Sequence, residues 1–230
     1  GNNNTAVGYQ AAYNTTTGPN NVALGYRALY TNSTGDTNTA VGYRSLYSNT
    51  TGTNNHAVGK DSLYSNTTGV NNVAVGDQAG YSNTTGSQFV AVGTFALYNN
   101  TTTDNNVAVG YAAGYSTTSG GIEAVGFYAL NSNTTGFANV AMGNQAMRFN
   151  TTGGYSTAIG REALKVQTTG GYNTAVGYQA GAQTTGSYNT FMGMQAGYSN
   201  TSGTGNIIIG YGADVSSAAS ANEINIAYNT

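Results

Sequence analysis

Apolar residues in this chain fall in short triplets that alternate strictly along a strand. Val73-Ala74-Val75, Val107-Ala108-Val109 and Ile207-Ile208-Ile209 each follow a polar stretch and end at a glycine. The triplet and its glycine recur from Gly8, Gly25 and Gly42 through to Gly210, in steps of 17 residues with two steps of 16. A second glycine closes a Thr-Thr-Gly turn about ten residues later, as at Gly18, Gly35 and Gly69, with Thr103 as its one substitute. A fixed period of this kind decides the architecture before any single element is assigned.

Three-residue runs bounded by Gly, Asn and Thr predict strands, and a 17-residue unit has no room for a helix with its connections. Two short strands per unit are expected: the triplet, and a small-residue run after the glycine such as Gln78-Ala79. Residues two apart in the triplet, Val73 and Val75, point to one face and Ala74 to the other. Both faces are apolar, so one is expected to pack inside the chain and the other against a different chain. The third residue after the glycine is Ala or Ser in every unit, from Ala11 and Ala28 to Ala213 with Ser45 and Ser62, which predicts a tight backbone approach there.

These features predict an all-β fold, a parallel β-solenoid of about 13 coils that would reach about 60 Å at a strand spacing of ~4.8 Å. A core of two Val-sized groups and an alanine per coil is thin, and three chains around a common axis would bury the second apolar face and hide exposed edges. An end-to-end filament of single chains is the other expected assembly. The two 16-residue steps should shorten turns, near Gly120 to Ile122 and near Ala182 to Gln183, because a deletion inside a stacked strand would flip its side chains. The units run through residues 1–213, and residues 214–230 read as a divergent last coil. Gly1 occupies the Thr-Thr-Gly position, so the chain reads as starting inside a repeat.

Composition narrows the function classes. Asn (31), Thr (35) and Gly (34) supply 100 of 230 residues, which excludes a helical bundle. Six basic residues, spread from Arg27 to Lys165, are too few and too scattered to neutralise a run of phosphates, so no nucleic-acid partner is expected. No run of about eighteen apolar residues is present to cross a bilayer as a helix, and no membrane partner is expected. With no cysteine there is no disulfide framework and no thiolate metal site.

The unit Asn-Thr-Ala-Val-Gly-Tyr-Gln-Ala at 173–180, repeated as Asn-Val-Ala-Leu-Gly-Tyr-Arg-Ala at 21–28, resembles the head repeats of trimeric autotransporter adhesins. It is similar, more closely still, to the repeat tracts of bacterial and phage proteins with tail-fibre domains. The stretch Tyr211 to Ser217, followed by Asn222-Glu223-Ile224-Asn225-Ile226, resembles the last coil before the self-cleaving chaperone of such proteins. The resemblance implies a left-handed β-roll, a homotrimer and an extracellular position on a cell-surface fibre or phage tail. The adhesin repeat is shorter, so Tyr64-Ser65-Asn66-Thr67-Thr68 must form a longer turn or an added strand.

Candidate chemistry is sparse. His56, the only histidine, stands where most units have Val or Thr and reads as a substituted strand residue. The eight carboxylates occupy scattered repeat positions and form no acid–base pair or calcium-binding array, so no catalytic residue, cofactor or metal is expected. Tyr13, Tyr30, Tyr47, Tyr64, Tyr81, Tyr98, Tyr115 and Tyr198 share one repeat position and predict a stacked aromatic ladder. That ladder reads either as a seal along the coil or as a platform for surface glycans. The turn creates N-glycosylation sequons at Asn32, Asn49, Asn66, Asn83, Asn100, Asn133, Asn150 and Asn200, with others at Asn3, Asn14 and Asn99. A structural fibre segment without enzymatic activity is the expected function. The alternatives are an ice-binding solenoid, which would use paired threonines such as Thr67 and Thr68, and a carbohydrate-binding repeat protein.

Overall fold

A computed structural model describes residues 3–228. The chain divides into two compact units, one ending at Gly120 and one beginning at Gly121. Each is a parallel β-solenoid whose coil is one repeat. The first unit carries β1 (Thr5–Val7), β2 (Val22–Leu24), β3 (Thr39–Val41), β4 (His56–Val58), β5 (Val73–Val75), β6 (Val90–Val92) and β7 (Val107–Val109). The second carries β8 (Glu123–Val125), β9 (Val140–Met142), β10 (Thr157–Ile159), β11 (Thr174–Val176), β12 (Thr190–Met192), β13 (Ile207–Ile209) and β14 (Ile224–Ile226). Within each unit every strand pairs in parallel with the next, and equivalent residues face one another, as in Ala57↔Ala74 and Ala158↔Ala175. β14 lies inside the segment read as divergent and pairs with β13 like any other coil, Ile207 opposite Ile224.

Each coil has one strand, where the sequence led us to expect two. The run after the anchor glycine cannot extend, because its second and fourth residues hold left-handed backbone, as in Arg27 (φ 52°) and Leu29 (φ 54°) or Asp61 (φ 53°) and Leu63 (φ 49°). This run is a five- or six-residue turn whose peptides still bond between coils. The Arg27 N–H donates back to Tyr9 O at 2.9 Å and the Leu29 N–H donates forward to Ser45 O at 2.9 Å. Tyr64 to Thr68 likewise continue as turn, without an added strand.

The anchor glycines stack one above another, as the repeat predicts. Gly8 holds φ +132°, and a Cβ there would lie 2.5 Å from the carbonyl oxygen of Gly25 in the next coil. Conformation and space therefore both exclude a side chain at this position.

The core differs from the expected one. The central strand residue points inward, so Ala23, Ala40, Ala57 and Ala74 are buried and the flanking valines face outward. Inside each coil that alanine meets the Ala or Ser of the turn and the leucine after it, as in Ala28 with Leu29 and Ser62 with Leu63. Where the leucine position is glycine, an aromatic ring from a neighbouring position occupies the space. Phe89 lies against Gly80, and Phe191 lies against both Gly181 and Gly197.

The deletion in the 16-residue step of the second unit falls in the turn, three residues beyond the expected place. Thr185 takes the place of the first threonine, Gly186 that of the closing glycine, and the second threonine is missing. Strand register is preserved, with Thr174 opposite Thr190. The other short step coincides with the boundary between the units, where Gly121 (φ +70°) follows Gly120 directly.

Candidate functional site

Polar ladders line the inside of the coil, and they settle where the sequon asparagines go. Asn32, Asn49, Asn66, Asn83, Asn100, Asn133, Asn150 and Asn200 are all fully buried. Asn49 Nδ2 donates to Asn32 Oδ1 at 2.8 Å and to Gly52 O at 3.0 Å, and Asn66 and Asn83 repeat the pattern. In the second unit Asn150 Nδ2 donates to Asn133 Oδ1 at 2.7 Å and to Gly153 O at 2.9 Å. Both amide protons are used and a glycan on Nδ2 has no room, so these eight residues are not acceptors in the folded chain. They hold the Thr-Thr-Gly turn onto the coil above and below. Of the other three sequons, Asn3 and Asn14 are exposed and Asn99 is half-buried.

A second buried asparagine column, just before each strand, escaped the sequence reading. The Asn38 N–H donates to Asn21 Oδ1 at 2.9 Å while Asn38 Nδ2 donates to Gly52 O at 2.8 Å. Asn55 and Asn72 continue the column, as do Asn173, Asn189 and Asn206 in the second unit. The signal was present as the recurring Asn one residue before the triplet, and it resembles ordinary turn composition.

The predicted aromatic ladder forms in the first unit. Tyr13, Tyr30, Tyr47, Tyr64, Tyr81, Tyr98 and Tyr115 stack at centroid separations of 5.1–5.5 Å with rings within 8° of parallel. Tyr198, the eighth member, lies in the second unit between coils that carry Ala182 and Val215 at this position. Because the rings stack face to face, the π-faces between Tyr30 and Tyr98 are covered by neighbouring rings, and a sugar ring needs a free face. Burial raises the Tyr64 and Tyr98 phenols above the ordinary tyrosine value. This geometry makes the ladder a seal along the coil.

Shorter ladders were not anticipated. Tyr9, Tyr26 and Tyr43 stack at 5.1–5.4 Å, and the Arg44 guanidinium lies 4.9 Å from the Tyr43 ring and 4.8 Å from the Tyr64 ring. The same guanidinium grips buried Asp61 with two bonds, Nε to Oδ1 at 2.8 Å and Nη2 to Oδ2 at 3.0 Å. The Asp61 hydrogen bond holds the Arg44 pKa above the usual arginine value. In the second unit Tyr155, Tyr172 and Tyr188 stack at 4.9 and 5.0 Å.

Other polar groups are absorbed locally. His56 occupies the first position of β4, opposite Thr39 and Val73, and faces outward. Glu162 accepts from Gln179 Nε2 at 2.9 Å, with Lys165 and Arg161 nearby, and its carboxyl sits below the ordinary glutamate range. Asp214 and Glu223 accept the backbone N–H groups of Ser199 and Ser216. Among the described residues no three His, Asp or Glu side chains gather in one place, and no helix is long and apolar enough to cross a membrane.

The remaining surface of note is the outer strand face. Val22, Leu24, Val58 and Val75 in the first unit and Val125, Met142, Ile159 and Met192 in the second are 36–46% exposed, large apolar side chains in register from coil to coil. The threonine turns form no comparable flat face: the first threonine of each pair is tied to the next coil, as in Thr67 Oγ1 to Thr84 O at 3.0 Å. Compared with known proteins, the chain matches no family model and no curated protein.

Proposed function

We propose that this chain is a structural segment of an extracellular fibre, homotrimeric and without catalytic activity, of the kind its repeat resembles in tail-fibre-domain proteins and adhesin heads. The outer strand face carries this reading. Contiguous apolar rows on a soluble surface mark interaction sites, and here the rows repeat with each coil, as an interface between copies in common register requires. Saturated hydrogen bonding along the coil and a formal net charge of only −2 suit a stiff element that bears load and does no chemistry. Against an ice-binding role stands the engagement of the turn threonines.

Solution mass tests the reading, with two substitutions that separate assembly from folding. Val75→Lys adds a charge to the outer face and is expected to yield a folded β protein of monomer mass. Ala74→Lys drives a charge into the core, costs several kcal/mol, and is expected to abolish the fold itself. A wild-type chain that is a monomer at all concentrations would overturn the trimer, and an elongated particle of one-chain width would favour the end-to-end filament.

A further inference from the structure

Tyr155, Tyr172 and Tyr188 occupy a repeat position that is Asn in five other coils: Asn20, Asn54, Asn71, Asn105 and Asn222. The position demands left-handed backbone, and these tyrosines hold φ 56°, 58° and 61°. Asn tolerates that conformation and a bulky aromatic residue does not, so three tyrosines there carry a backbone cost. The cost is not offset by burial, since the rings are 49%, 52% and 65% exposed. A feature that is strained, exposed and repeated in three successive coils needs a use outside the core.

The two ends of this ladder differ. At one end Phe137 closes it edge-on, 4.7 Å from Tyr155 with the rings at 73°. At the other end the next coil supplies Gly205, which has no side chain, so the face of Tyr188 turned away from Tyr172 is left uncovered by a further rung. One coil further on, the Asn222 side chain leans over the glycine: a Cβ on Gly205 would lie 2.6 Å from Asn222 Oδ1. The ladder therefore ends in a gap one rung deep, with a phenol ring on one side and an exposed side-chain amide on the other.

We propose that this gap binds a neutral pyranose ring of a saccharide, stacked on Tyr188 at the level of Gly205 and hydrogen-bonded by the Asn222 amide. A pyranose presents an apolar C–H face and a rim of hydroxyls, matching an aromatic face beside an amide. The neighbouring turn residues Ser187 and Thr204 are neutral, and the nearest carboxylate in sequence, Glu223, is occupied by the Ser216 N–H. A charged ligand finds no counter-ion there. The proposal holds whether or not the chain trimerises.

The test uses the full chain and soluble oligosaccharides of cellulose, amylose and chitin type as probes, with a proline-rich peptide alongside. Nuclear magnetic resonance follows the Tyr188 ring signals. At least one saccharide is expected to shift them saturably, and Tyr188→Ala and Asn222→Ala should each weaken binding by about tenfold or more. Gly205→Tyr is the sharpest variant: tyrosine already occupies this backbone conformation in three coils, so it adds the missing rung and should abolish binding while the circular dichroism spectrum is retained. If that variant fails to fold, Tyr188→Ala and Asn222→Ala decide. No saturable shift with any saccharide, binding of the peptide alone, or saccharide binding unchanged in these variants would each overturn the proposal. Solution mass, measured in parallel, keeps this result separate from that of the fibre reading.

Discussion

Replacing Asn66 by alanine separates a structural asparagine ladder from a row of glycan acceptors. Asn66 Nδ2 donates to Asn49 Oδ1 at 2.8 Å and to Gly69 O at 3.2 Å, and its own Oδ1 accepts from Asn83 Nδ2 at 2.8 Å. Gly69 O keeps the Asn55 amide at 2.8 Å, so the substitution orphans two buried groups, Asn49 Oδ1 and one N–H of Asn83. At about 1–3 kcal/mol for each buried group left unpaired, the cost is about 2–6 kcal/mol. Neighbouring coils set one another's stability in a solenoid, so the loss should concentrate in the coils around Asn66. Hydrogen exchange of the Thr67 and Ser65 amides, together with denaturant unfolding, reads it. Asn66→Thr should cost less, because Thr184 stands in the same column and its Oγ1 accepts from Asn200 Nδ2 at 2.8 Å. Asn14, which is exposed, should tolerate alanine within about 0.5 kcal/mol. An Asn66→Ala chain as stable as wild type, or enzymatic glycosylation of Asn66 in the folded protein, would refute the reasoning.

Three further expectations follow from the same coordinates. Gly42→Ala places a Cβ against the Gly59 backbone at φ +131° and should unfold the surrounding coils, whereas Gly121→Ala, at φ +70° with no atom within 4 Å, should cost only about 1 kcal/mol in thermal unfolding. Phe191→Ala empties the space beside Gly181 and Gly197 and should destabilise the second unit by about 3–5 kcal/mol, partly recovered by adding Gly197→Leu. The Gln179 hydrogen bond, with Lys165 and Arg161, lowers the Glu162 pKa in the folded state. Its contribution is therefore full above the unfolded value near 4.5 and is lost as pH falls through the lower folded value; Glu162→Gln should flatten that acid limb of the melting temperature.

The period was fully legible, because a 17-residue repeat written in glycine survives any uncertainty about local conformation. Stacking of Gly8 on Gly25, the strand triplets and the tyrosine column all follow from it. The second strand was misread because Gln78-Ala79 carries no mark of its left-handed residues; leucine at φ near +50° contradicts every propensity, and only the neighbouring coils hold it there. The same blindness hid the core. Hydrophobicity assigns valine inward and alanine to the crowded side, yet the interior of so narrow a coil accepts a methyl group at the strand centre and leaves the larger side chains outside. The Tyr188 ladder was missed because its position varies among Asn, Thr, Gln, Ala and Tyr, and only the shared positive φ shows that these residues are equivalent.

A coil this narrow also explains why its polar residues are so regular. With an alanine, a second small residue and one leucine inside, apolar burial per repeat is small against the ordering of seventeen residues, each costing about 1–2 kcal/mol of backbone entropy. What the coil has in abundance is pairing: strand and turn peptides bond to the coils on either side, and two asparagine columns bond the turns to one another from within. Asparagine suits this because its short amide donates twice and accepts at once, in one plane, so each copy binds its own turn and the next coil. Such bonds form only between equivalent residues of stacked repeats. Stability and register therefore come from the same contacts, and the outer valines are left free of any task inside the chain. An apolar row that the fold does not need is what a surface shared between copies would use.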